Sequence, residues 1–182
     1  MSEIPVITHW VDGRPYSGEP ERYGDVFDPA VGEVASRVGF ARPEDVDHAV
    51  RAAERALPAW RDTPLTGRAA VLFRFRQLLL DHVDELARIV SSEHGKVRAD
   101  AMGEIRAGMD VLEFACGIPH LIKGEYSENV STNINTYSLR QPVGVVAGIT
   151  PFNFPMMVPM WMTPIAIACG NTMVLKPSEK DP

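Results

Sequence analysis

Val143-Gly144-Val145-Val146-Ala147-Gly148-Ile149-Thr150-Pro151-Phe152-Asn153-Phe154-Pro155, answered further on by Gly170-Asn171-Thr172-Met173-Val174-Leu175-Lys176-Pro177-Ser178-Glu179-Lys180, decides how this chain folds. Val143–Ile149 and Thr172–Leu175 are short, wholly apolar runs, which suit strands buried on both faces. Between them, Pro155 to about Cys169 reads as a helix that opens on a proline, bends near Pro164 and stops at Gly170. Strand, helix and strand make a βαβ unit, right-handed and part of a parallel sheet. Sites in such sheets lie beyond the carboxyl ends of the strands. Two segments occupy that rim: Thr150–Phe154 and Lys176–Lys180.

No charged residue falls between Arg140 and Lys176. That is long enough to raise a membrane span. Pro142, Pro151, Pro155, Pro159 and Pro164 break it, with Thr150, Asn153 and Asn171 among them. A lipid-exposed helix would leave backbone groups unpaired there. The stretch is read as sheet core, and no membrane partner is expected.

Towards the amino terminus, His9–Pro15 predicts a strand turning tightly at Asp12-Gly13, since glycine tolerates positive φ. Asp28-Pro29-Ala30-Val31-Gly32-Glu33 is a second turn, feeding a strand over Val34–Phe40. Pro43-Glu44-Asp45 opens a helix to about Trp60, its acids at the positive end of the dipole. A helix is predicted from Thr66 to about His94, with Val71, Leu72, Phe75, Leu78, Leu79, Val83, Leu86, Ile89 and Val90 as its buried stripe and Gly95 as its stop. Another runs from Val97 to about Ile122, where Gly103, Gly108 and Gly117 allow close packing. Asn133–Arg140 reads as an exposed or edge strand.

The 182 residues carry a formal charge of −6 with 45% hydrophobic and 23% charged residues. This is a globular composition, and the acidic balance argues against a nucleic-acid partner. Cys116 and Cys169 make no disulfide framework. With no signal peptide visible from Met1, a reducing, cytoplasmic location is expected.

Asn153, stiffened between Pro151 and Pro155, is placed to donate its amide to a developing oxyanion; a turn or helix-capping asparagine is the alternative. Lys176 and Glu179 could donate to and accept from ribose hydroxyls, and a lysine does not repel a 2′-phosphate; a solvated lysine at a strand end is the alternative. No Gly-x-Gly-x-x-Gly fingerprint follows the first strand, so an ordinary pyrophosphate loop is absent. Cys116 and His120, four apart, are too few for zinc. Neither cysteine has an activating neighbour. Met156, Met157, Met160 and Met162 read as adaptable core, and Arg68, Arg74 and Arg76 as a solvated helix face.

Four motifs occur in order: Asp28-Pro29-Ala30 with Gly32-Glu33-Val34; Glu93-x-Gly95-Lys96; Pro142-x-Gly144-Val145 with Pro151-x-Asn153-x-Pro155; and Gly170-Asn171-Thr172-x-Val174-x-Lys176-Pro177-Ser178-Glu179. Together they resemble the aldehyde dehydrogenases. Pro151–Pro159 and Glu113-Phe114-Ala115-Cys116-Gly117 look most like the CoA-acylating methylmalonate-semialdehyde branch. The resemblance implies an α/β fold, the amino-terminal part of that family's fold with an incomplete Rossmann-like sheet. It implies that Asn153 donates to the thiohemiacetal oxyanion. Thr150, Phe152, Lys176, Glu179 and Lys180 would line the site for NAD, with NADP not excluded. The whole enzyme would oxidise (methyl)malonate semialdehyde through a cysteine thioester passed to CoA.

The same resemblance places the catalytic cysteine beyond Pro182, so the isolated chain is expected to be inactive. Its partners would be a small aldehyde, further copies of the chain, or a missing carboxy-terminal half. The branch carries arginine just before the glycine matched by Gly108. Here Ala107 stands there and Arg106 comes one earlier, a rotation of about 100° on a helix, and Arg106 is the candidate substrate residue. Three regions follow: 1–123 as the first part of the cofactor-binding domain, 124–141 as part of an oligomerisation domain, and 142–182 as the first βαβ of the Rossmann-like layer. Two other readings are a non-catalytic assembly or binding partner and another aldehyde class.

Overall fold

A computed structural model describes residues 4–182; residues 1–3 of the first expected region lie outside it. The amino-terminal part is built from short strands. β1 (Val6–Ile7) pairs in parallel with β5 (Glu33–Gly39), which pairs antiparallel with β4 (Tyr23–Asp28). β2 (His9–Val11) and β3 (Arg14–Tyr16) form the expected hairpin. Asp12 and Gly13 both take positive φ in its turn, at 55° and 73°. The turn after β4 is closed by Asp28, whose carbonyl accepts from Gly32 N at 2.8 Å.

Helix α1 (Pro43–Arg61) starts and ends close to where its proline and acids place it. The single long helix expected over 66–94 is two, α2 (Leu65–Asp81) and α3 (Val83–His94). His82, at φ −111° and ψ 12°, ends the first and opens the second. Its Nδ1 lies 3.0 Å from Glu85 Oε2, and Asp84 and Glu85 face the positive end of the new helix dipole. The break changes which residues are covered: Leu72, Leu79, Ala87 and Val90 are buried, while Phe75, Leu78 and Ile89 are exposed. Gly95 ends α3 at φ +86°, the left-handed cap expected of it.

The second long helix also divides, at Gly117, into α4 (Arg98–Cys116) and α5 (Ile118–Leu121). α4 is the centre of the molecule. Ala101, Ile105, Met109, Leu112 and Ala115 recur at helical spacing and pack with α2, α3 and α6 (Met157–Ala168). Burying a side chain such as Ile105 or Leu112 contributes roughly 1.5–3 kcal/mol. Of the three glycines in this stretch, Gly108 brings helices together: a Cβ there would stand 3.2 Å from Met160 Cβ. Gly103 faces open space.

β6 (Tyr126–Ser131) and β7 (Ile134–Tyr137) form a hairpin exposed along its whole length. β8 (Val145–Ile149) and β9 (Thr172–Lys176) run parallel, joined through α6. Their burial is only partial: Ile149 is 78% exposed, because among the described residues the sheet has two strands. No described helix is long and apolar enough to cross a membrane.

Candidate functional site

The register of β8 on β9 sets Ile149 beside Lys176, so the two strands end together. Thr150 N then donates to Lys176 O at 3.1 Å and ties the segments that leave those ends. A second tie lies further out, where Lys180 Nζ stands 4.2 Å from the centre of the Phe152 ring. Thr150, Phe152, Asn153, Lys176, Glu179 and Lys180 are thus carried on two segments at one rim. Arg106 is not brought to them: it is exposed on α4, two residues from the buried Glu104, on roughly the opposite side of the helix.

The residues differ in environment. Asn153 is exposed and its backbone carbonyl accepts from Lys96 Nζ at 3.1 Å. Thr150 is buried, and its hydroxyl has no partner among the described residues. Lys176 Nζ meets Glu179 Oε2 at 2.9 Å in the open, and this contact holds the Glu179 carboxyl below its usual range. Such a pair offers one cationic donor and one anionic acceptor side by side, which suits a vicinal diol. Beside it opens a groove of ≈ 900 Å³ between the β2–β3 hairpin, α1 and β9.

Behind the rim is a group of buried charges that periodicity alone does not find. Glu104 is buried within the apolar stripe of α4. Its Oε1 accepts from Met156 N at 2.8 Å and Met157 N at 3.1 Å, the two unpaired donors that open α6. Its Oε2 pairs with Lys96 Nζ at 2.5 Å. Lys96 also stands 4.6 Å from the centre of the Phe154 ring. Burial, then the Lys96 cation, lowers the His94 imidazole, which lies against the Asn153 carbonyl. Asp181 is pushed up to about 6, by burial first and then by Glu93. The visible signal for Glu104 is a carboxylate between Ala101 and Ile105 on a core face; its partners, some fifty residues away, are not visible.

Where Thr150–Met156 is held in this way the chain stays irregular, so α6 begins at Met157 rather than Pro155. Past β9 the chain is irregular, bending at Glu179 and Lys180, with Ser178 Oγ accepting from Lys180 N at 3.1 Å. Neither cysteine reaches the rim. Cys116 is in the core, and burial pushes its thiol up, away from the reactive thiolate. Cys169 follows the far end of α6, next to the start of β9.

Comparison with known proteins agrees on one family. The model of the aldehyde dehydrogenase family matches residues 16–182. A malonate-semialdehyde dehydrogenase of Pseudomonas aeruginosa is 53% identical over 176 residues, 97% of this chain and 35% of that protein. A Sinorhizobium meliloti protein named for methylmalonate-semialdehyde dehydrogenase activity, solved with NAD, superposes with a TM-score of 0.97 at 49% identity, over 100% of this chain and 37% of its own. The methylmalonate-semialdehyde dehydrogenase of Oceanimonas doudoroffii gives 0.96 at 51% identity, over 98% and 36%. The chain therefore spans a little over a third of the length of these relatives, and corresponds to their amino-terminal portion.

Proposed function

Because the chain belongs to the aldehyde dehydrogenase family, we propose that it supplies the oxyanion donor and the nucleotide-facing rim of an NAD-dependent (methyl)malonate-semialdehyde dehydrogenase that passes its acyl group to CoA. The observation that carries this reading is the convergence of Asn153 and the Lys176–Glu179 pair at the carboxyl edge of one parallel strand pair. The residues present fit NAD. Lys176 and Glu179 would hold ribose hydroxyls as donor and acceptor, and the unpartnered Thr150 hydroxyl, with Phe152 and Lys180, lines the same rim. When bound, NAD supplies the hydride acceptor.

Asn153 contributes electrostatics. Its side-chain amide donates to the substrate oxygen as negative charge develops there, and its backbone is already anchored by Lys96. The nucleophile comes from outside residues 4–182, since Cys116 is buried and Cys169 is remote from the rim. The β6–β7 hairpin, with Tyr126, Val130, Ile134 and Tyr137 all more than half exposed, serves self-association.

The test joins this chain to the portion of the Pseudomonas relative that lies beyond its match. A folded chimera is expected to form NADH from malonate semialdehyde in the presence of CoA. A chimera that melts like its parent and turns over no semialdehyde overturns the reading. The isolated chain is expected to bind NAD weakly by calorimetry and to show no turnover.

A further inference from the structure

We propose that Lys96 and Glu104 form a positioning clamp that sets the Asn153 amide in place before any ligand arrives. This deepens, and rests on, the oxyanion reading of Asn153. Two buried side chains from different segments grip the loop at successive points. Lys96 holds the Asn153 carbonyl and lies over the Phe154 ring; Glu104 holds the amides of Met156 and Met157. The two are joined to each other, with the Lys96 side chain 10% exposed and that of Glu104 1%.

The chemistry is matched to the loop. Met156, at the cap position of α6, provides no side-chain cap, so two donors at the start of the helix need an acceptor from elsewhere. A carboxylate there also faces the positive end of the helix dipole. That carboxylate is buried and in turn needs a cation, and Lys96 supplies one on the side where it also reaches Asn153. The clamp therefore fixes the loop at the residue that carries the exposed amide and again at its carboxyl end, where α6 begins. Gly108, one turn further along α4, admits Met160 against the helix and keeps α6 close enough for Glu104 to reach it.

Two measurements test this. In the 182-residue chain, Glu104→Ala is expected to speed exchange of the Met156 and Met157 amides at least ten-fold and to broaden the Asn153 side-chain resonances, with Leu112 protection unchanged. Glu104→Gln, which keeps an acceptor, restores protection at Met156 and Met157. If Glu104→Ala unfolds the chain, Lys96→Met replaces it and is read at Asn153 alone. In the chimera, Lys96→Met is expected to lower kcat about ten- to a hundred-fold with KM for aldehyde and NAD little changed, since small misplacement of a reacting group costs of that order. Lys96→Arg is expected to recover most of the loss. In an Asn153→Ala background, Lys96→Met is expected to cost nothing further in kcat. Additive losses, or unchanged exchange and resonances in a folded variant, overturn the clamp. If Asn153→Ala alone leaves kcat intact, the oxyanion reading falls instead, and the exchange data still judge the clamp.

Discussion

Two segments leave the same edge of the β8–β9 pair, and each is associated with one lysine–glutamate contact. On the Asn153 side the pair is Lys96–Glu104, almost wholly buried; on the other it is Lys176–Glu179, with side chains 57% and 48% exposed. Identical chemistry in different surroundings does different work. A buried pair cannot exchange its partner for water, so it fixes whatever it touches. An exposed pair is screened by solvent and contributes little to stability, so its members are free to re-pair with a ligand. On the proposed reading, the Asn153 side of the rim is set in advance, and the Lys176–Glu179 side stays adjustable.

Replacing Asn153 by Ala in the chimera should give the largest effect. Removal of one oxyanion donor typically lowers kcat by about 10²–10³-fold. The same change should leave the melting temperature near that of the parent, because the clamp holds the Asn153 backbone and not its side chain. A large stability loss with unchanged kcat would reverse the assignment. The largest effect on stability, as distinct from turnover, should come from Lys96→Met, measured by urea unfolding of the chain. Stranding the Glu104 carboxylate should cost about 3–5 kcal/mol. A loss below about 1 kcal/mol would place Lys96–Glu104 in the same class as an exposed pair and remove the contrast between the two segments.

The sequence made one side of this contrast more legible than the other. Apolar runs bounded by glycine and proline mark β8, α6 and β9, and the Thr150–Phe154 and Lys176–Lys180 segments follow from where those strands end. Periodicity does not show where a helix breaks without glycine or proline. The apolar pattern runs through His82 unbroken, yet α2 and α3 separate there so that both pack on α4. Pairing made across long separations is also invisible. Nothing near Glu104 in the chain names Met156 as its partner. Arg106, close to a motif in the chain, stands exposed on α4, away from the core face that carries Glu104.

Asp181 directly follows the Lys176–Lys180 segment and, unlike Lys176 and Glu179, is buried. Its carboxyl is raised to about 6, by burial first and then by Glu93. A folded pKa above the ordinary value of 3.8 means that its contribution is fully present below pH 3.8 and is lost as pH rises through about 6. Asp181→Asn should therefore raise the melting temperature at pH 7.5 by a few degrees, and the gain should shrink as pH falls towards 4. The His94 imidazole, lowered by burial and then by Lys96, works the other way: its contribution is present above its ordinary value of 6.5 and is lost only as pH falls through its depressed pKa. Asp181→Asn isolates the acid from that opposing trend. A gain that is the same at both pH values would show that packing, not ionisation, is responsible.

The smallest effect should come from Lys176→Ala. Its ammonium contacts Glu179 in the open, and that contact leads the causes that hold the Glu179 carboxyl below 4.5. A depressed carboxylate contributes stability above its unfolded pKa and loses it as pH falls through the folded value, so whatever the pair contributes at neutral pH is lost only as pH falls below the ordinary value of 4.5. Solvent screening makes that contribution too small to shift the melting temperature measurably, and added salt should not change the result. The consequence should appear in binding instead: in the chimera, KM for NAD should rise several-fold while kcat at saturating NAD holds. Lys176→Ala and Lys96→Met would then separate cleanly, the first moving KM without stability and the second moving kcat with it. Equal losses of stability in the two variants would mean that burial does not distinguish the segments, and that the rim is a single rigid unit.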